Sequence, residues 1–104
     1  MPYRLMIFER RDNASREEMA NTALAICKGM KKVDGINSAK FYWSGLDNIV
    51  FLTEGTMEAL NSGGGNNPDI IKLAFDLSDL TKQTMNILLA EPRAGEEAYR
   101  SAGR

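Results

Sequence analysis

Apolar and polar residues repeat with two different periods along this chain, and each change of period marks the edge of an element. Residues 3–10, Tyr-Arg-Leu-Met-Ile-Phe-Glu-Arg, form an apolar-rich run that reads as a strand. A turn at residues 12–14 follows. Ser15 with Glu18 three residues on makes a capping box, the signature of a helix start. Apolar residues then recur at Met19, Ala23, Ile26, Met30 and Val33, with Ala20 and Cys27 alongside, which is one stripe of a helix. Lys28, Lys31 and Lys32 favour its C-terminal end through the helix dipole, and Gly35 suits the residue just beyond it. The helix is predicted over 15–34.

From Ile36 the period becomes two. Ala39, Phe41 and Trp43 alternate with Lys40 and Tyr42, a turn occupies 44–48, and residues 49–54, Ile-Val-Phe-Leu-Thr-Glu, read as the second arm of a hairpin. One helical turn is expected at 56–60. The stretch 61–68, with Gly63, Gly64 and Gly65, has the composition of a loop. It is not a phosphate loop: no Gly-Lys-Ser/Thr follows, and Asp69 puts negative charge where a phosphate would sit. A cover over one end of the molecule and an inert connector are both open readings of it. Ile70, Leu73, Ala74, Leu77 and Leu80 predict a second helix over 69–80, and residues 84–90 a fourth strand ended by Pro92. The expected layout is one domain over 1–92 and a charged tail over 93–104.

The order β-α-β-β-α-β is that of the ferredoxin-like split motif, an α+β fold with a four-stranded antiparallel sheet and its helices on one face. Over residues 3–90, the element order, the Gly-rich stretch before the second helix and the strands apolar on both faces resemble the dimeric α+β barrel superfamily. That group includes small monooxygenases, isomerases and stress-responsive barrel proteins. The resemblance implies a sheet-to-sheet homodimer, and an activity without a metal or organic cofactor where there is one. The haem-degrading branch resembles proteins with a histidine ligand, and this chain has no histidine.

The strand pattern gives a separate argument for the dimer. Sorted by parity, one set (Tyr3, Leu5, Ile7, Ala39, Phe41, Trp43, Ile49, Phe51, Met85, Ile87, Leu89) is almost wholly apolar and is expected under the helices. The other set (Arg4, Met6, Phe8, Lys40, Tyr42, Val50, Leu52, Glu54, Asn86, Leu88) still has apolar centres in every strand but the second. Two helices cover only one face. The other would leave apolar surface in water, at a cost of roughly 25 cal/mol per Å². Two sheets packed face to face remove that cost and enclose a chamber.

Composition narrows the chemistry. The chain has 104 residues, 13 basic and 14 acidic, for a net charge of −1, so nothing in it predicts binding to nucleic acid. No apolar run reaches the roughly 20 residues that span a bilayer, and no signal-peptide pattern is present, so a cytoplasmic protein without a membrane role is expected. Absent histidine removes the Ser-His and Cys-His nucleophile pairs and the commonest zinc ligand. The lone Cys27 excludes an intrachain disulfide and reads as a buried small hydrophobe in a reducing compartment.

The candidate site residues are those expected in the inter-sheet chamber. Glu54 is a proton-transfer base if its pKa is raised there, or else half of an ion pair with Arg4 or Lys40. Tyr42 joins it as a catalytic candidate. Arg4, Lys40, Phe8 and Asn86 are the ligand-binding candidates, for an anionic, phenolic or aromatic molecule; salt bridges between subunits, or an Asn86 pair across the two-fold axis, are the other readings. Three functions remain open: a homodimer binding a small apolar or aromatic molecule between its sheets, a cofactor-independent enzyme of monooxygenase or isomerase type, and a structural protein whose barrel is filled by side chains.

Overall fold

The computed structural model describes residues 2–62 and 66–89. Its elements are β1 (Tyr3–Arg10), α1 (Arg16–Met30), β2 (Ile36–Ser44), β3 (Asn48–Gly55), α2 (Met57–Ser62), α3 (Pro68–Leu80) and β4 (Thr81–Leu89). The four strands form one antiparallel sheet in the order β2-β3-β1-β4. This is the expected ferredoxin-like α+β arrangement. Gly63–Gly65 and the tail over 93–104 lie outside the described residues.

Local chemistry explains most boundaries. The Ser15 hydroxyl accepts from the Glu18 amide at 3.2 Å and starts α1. The helix ends at Met30, four residues short of the expected end. Three-residue turns take over, with Lys32 N donating to Gly29 O and Val33 N to Met30 O, until Gly35 turns the chain at φ +90°. A Cβ on Gly35 would lie 2.8 Å from Thr56 Oγ1 and 2.9 Å from Ala59 Cβ, so both conformation and space require glycine there. Asn67 caps α3 by accepting from the Asp69 and Ile70 amides, and Pro68 fills the first turn.

No loop separates α3 from β4, so the strand begins at Thr81 rather than 84. Arg11 makes that junction possible: its amide donates to Leu80 O at 3.0 Å, and its Nε to Thr81 O at 3.0 Å. These bonds satisfy carbonyls that a helix end leaves orphaned.

The core lies between the sheet and α1 and α3. Met19, Ala23, Cys27, Ala39, Ile49, Phe51 and Leu77 are buried there, with Met6, Phe8, Phe41 and Trp43 packed against them. Phe8 meets Phe51 edge-on at 5.4 Å between ring centroids, a favoured aromatic geometry.

The parity assignment needs a correction in two strands. In β2 and β3 the odd-numbered residues do face the helices. In β1 the even ones do, because Met6 pairs with Phe51 and Phe8 with Ile49 across the ladder. Paired residues share a face, so Arg4, Met6 and Phe8 lie under the helices while Leu5 and Ile7 point away. β4 follows β1: Asn86 pairs with Met6, and Ile87 and Met85 pair with Leu5 and Ile7. The uncovered face therefore carries two adjacent rows, Lys40-Leu52-Leu5-Ile87 and Tyr42-Val50-Ile7-Met85. It is more apolar than the sequence pattern predicts: Arg4 and Asn86 leave it with Met6, Phe8 and Leu88, and Tyr3, Leu5, Ile7, Met85, Ile87 and Leu89 join it.

Candidate functional site

A cavity of about 320 Å³ opens between the sheet and helices α1 and α3. Its walls are Met6, Phe8 and Phe51 from the strands and Ile26, Ile70, Ala74 and Leu77 from the helices. The α3 residues among these fall on one helical face. Four neutral polar side chains interrupt the apolar lining: Ser78, Thr81, Gln83 and Asn86. Thr81 is buried, and its hydroxyl is committed to Leu77 O at 2.7 Å. The Ser78 hydroxyl likewise donates to Phe75 O. Gln83 and Asn86 are exposed and keep hydrogen-bonding capacity for another partner.

Arg4 stands behind Asn86. Its Nη1 donates to Asn86 Oδ1 at 2.7 Å, its Nη2 to Asn61 Oδ1 at 3.1 Å, and its Nε to Leu60 O at 3.2 Å. Among the described residues all three acceptors are uncharged. The guanidinium is held at the C-terminal end of α2, where the helix dipole favours a cation. Because the Asn86 oxygen faces Arg4, the amide's two N–H donors are left for other partners. A smaller void of about 50 Å³ lies beside Arg4, Cys27 and Leu60 and shares Met6, Ile26 and Phe51 with the main cavity.

The expected site residues divide into two groups. Arg4, Phe8 and Asn86 come together on the helix side, around the cavity and behind it, and not on the face away from the helices. Glu54, Lys40 and Tyr42 are on the uncovered face, as the alternation in β2 and β3 predicts; Tyr42 is 53% exposed. The two groups are on opposite sides of the sheet.

A raised pKa is one of the two readings of Glu54, and its surroundings act in the other direction. The neighbouring Tyr3 hydroxyl, and then the Asn37 amide that donates to its carboxylate, hold its pKa below the ordinary 4.5, with Lys40 adding a smaller favourable charge. The same contact pushes the Tyr3 phenol above its usual 10.0, since ionising it would set two negative charges together. A raised carboxyl pKa, the premise for Glu54 as a base, is not found. Burial raises the Cys27 thiol, with Lys31 opposing more weakly, so this sulfur is a packed hydrophobe and not an activated nucleophile. Among the described residues no group of histidine, cysteine, aspartate or glutamate side chains is arranged to hold a metal ion. Among the described residues no helix is long and apolar enough to cross a membrane.

Sequence reasoning missed Gln83, Ser78 and the Arg4–Asn86–Asn61 linkage. Ile70, Ala74 and Leu77 were legible as a helical face. No local signal announced Gln83, whose orientation depends on how β4 pairs with β1.

The element order and the sheet define a ferredoxin-like α+β fold, with a cavity beneath its helices. No protein-family model matches the sequence, and no curated protein matches it. Solved structures do. Rv0793 from Mycobacterium tuberculosis superposes with a TM-score of 0.72 at 20% identity, over 88% of this chain and 95% of that one. SnoaB, a cofactor-independent oxygenase from Streptomyces nogalater, has a TM-score of 0.75 at 12% identity, over 86% and 91%. A dimeric protein of unknown function and ferredoxin-like fold from Bacteroides fragilis has a TM-score of 0.59 at 13% identity, over 85% and 91%.

Proposed function

We propose that this chain forms a homodimer through the uncovered face of its sheet, and that each protomer binds a small, largely apolar or aromatic molecule in the cavity between sheet and helices. The observation that carries the binding reading is the cavity itself: about 320 Å³, walled by apolar side chains, with a few polar groups at one side. That is the usual composition of a small-molecule site. The dimer reading rests on two largely apolar rows of side chains that no element among the described residues covers. The fold-level likeness to a protein described as dimeric points the same way. In this reading Glu54, Lys40 and Tyr42 serve the contact between subunits. The reduced, buried Cys27 suits the cytoplasm.

The second reading is a cofactor-independent enzyme acting on the molecule in that cavity. The likeness in fold to SnoaB favours it. Asn86, held by Arg4, is then the group placed to steady a developing negative charge on a substrate oxygen.

Both readings meet one experiment. A panel of neutral aromatic ketones, phenols and aromatic acids is screened by thermal shift on the wild type and on Ala74→Phe, whose ring fills the cavity. A concentration-dependent rise in midpoint with the wild type, lost in the variant, is expected. A panel that moves neither protein, or both equally, refutes binding in this cavity. Dioxygen uptake with the best binder then separates enzyme from binder.

A further inference from the structure

Gln83 and Asn86 ought to face opposite sides of the sheet. They are three residues apart on one strand, and alternation puts residues an odd number apart on opposite faces. Both nevertheless line the cavity. The ladder shows how. Ile7 of β1 pairs with Met85 and the next residue, Phe8, pairs with Gln83, so Thr84 has no partner. Its hydroxyl turns back and donates to Ile7 O at 3.3 Å. One extra residue in β4 is a β-bulge, a device that re-aims side chains.

The result is two primary amides on one wall of a cavity whose other polar side chains, Ser78 and Thr81, already give their hydroxyl protons to Phe75 O and Leu77 O. Their partners on β1, Phe8 and Met6, are two residues apart, which separates the amides by about 7 Å along the sheet. Asn86 gives its carbonyl to Arg4 at 2.7 Å and so presents N–H donors. Among the described residues Gln83 donates only a long 3.5 Å contact to Met85 O, and its carbonyl oxygen is the acceptor it presents. Among the described residues, no ionisable side chain lines the cavity. Resting on the binding reading above, we propose that the Thr84 bulge makes Gln83 and Asn86 a specificity-determining pair. It selects an uncharged aromatic ligand with an acceptor oxygen at Asn86 and a hydroxyl donor at Gln83.

Charge is the discriminating feature. An uncharged carbonyl loses little on leaving water if Asn86 replaces its hydrogen bond. A carboxylate loses far more, and Arg4, behind Asn86, is already committed to Asn86, Asn61 and Leu60.

A matched pair of fluorescent probes tests this. 6-Acetyl-2-naphthol is neutral and carries one carbonyl and one hydroxyl; 6-hydroxy-2-naphthoate keeps the skeleton and hydroxyl but carries a carboxylate. Binding of each at neutral pH is measured by fluorescence titration on the wild type, Gln83→Leu and Asn86→Leu, with circular dichroism to check folding. The neutral probe is expected to bind at least about tenfold more tightly than the anion. Each leucine variant is expected to weaken the neutral probe by about two- to tenfold, the worth of one neutral hydrogen bond. 2-Acetylnaphthalene, which lacks the hydroxyl, is expected to lose affinity on the wild type and to ignore Gln83→Leu while still sensing Asn86→Leu. Binding that ignores both charge and both variants overturns the paired-amide reading and leaves the cavity as a ligand site. No binding by any of the three probes overturns both.

Discussion

Leu52→Lys is the sharpest test of the interface. Leu52 sits mid-row on the uncovered face, opposite Leu5 on β1 and Lys40 on β2. It takes no part in the core under the helices, so the protomer keeps that core when Leu52 changes. In a sheet-to-sheet dimer the substitution removes one buried leucine per subunit, worth about 1.5–3 kcal/mol each. The two-fold axis doubles the loss to about 3–6 kcal/mol. At 1.4 kcal/mol per decade this weakens the dimer by about two to four decades in Kd. The new ammonium also opposes Lys40 directly across the strands, a like-charge pair that adds a further penalty. Sedimentation equilibrium from nanomolar to high micromolar concentration measures the effect, with far-ultraviolet circular dichroism and urea denaturation as folding controls. The wild type should be dimeric at micromolar concentration and the variant monomeric and folded. Adding Lys40→Ala should recover the part of the loss that comes from the like-charge pair. An association constant unchanged in Leu52→Lys, or a wild type that stays monomeric throughout, refutes the argument from the apolar rows.

Other consequences follow from particular contacts. Gly35→Ala should destabilise by about 1–3 kcal/mol, because φ is +90° and the new Cβ meets Thr56 and Ala59. Gly45→Ala, at φ +69° in open space, should cost less, at about 1 kcal/mol; urea midpoints compare the two. Because Glu54 has its folded pKa lowered, its contribution is present above pH 4.5 and fades as pH falls through the lowered value. Glu54→Gln should therefore flatten that part of the acid limb of stability against pH. The raised Tyr3 phenol has the opposite sign: its contribution is whole below pH 10.0 and fades as pH rises through the raised value, and Tyr3→Phe should remove that alkaline slope. Arg4→Met should lower the affinity of a carbonyl probe in the cavity by releasing the Asn86 oxygen, and Arg4→Lys, without the planar fork, should rescue it poorly in the same titration.

Two kinds of information shaped this protein. Its element order, the Ser15 cap, the helical stripe of α1, the hairpin of β2 and β3 and the turn at Gly35 are all local, set by residues a few positions apart, and the chain alone determined them. So did the presence of apolar residues on both faces of the sheet. Which face is which in β1 and β4 was not local. Tyr3, Leu5 and Ile7 are as apolar as a covered strand face, and Arg4 and Asn86 look like residues of a wet one. Only the pairing of Met6 with Phe51, residues 45 positions apart, sends Arg4 and Asn86 under the helices. Tertiary structure likewise decided where Gln83 points, since the bulge at Thr84 exists only in the ladder between β4 and β1. Parity along a strand is a two-fold choice that composition settles when one face is polar. Here both faces are apolar, so register made the choice, and the cavity came to lie beneath the helices.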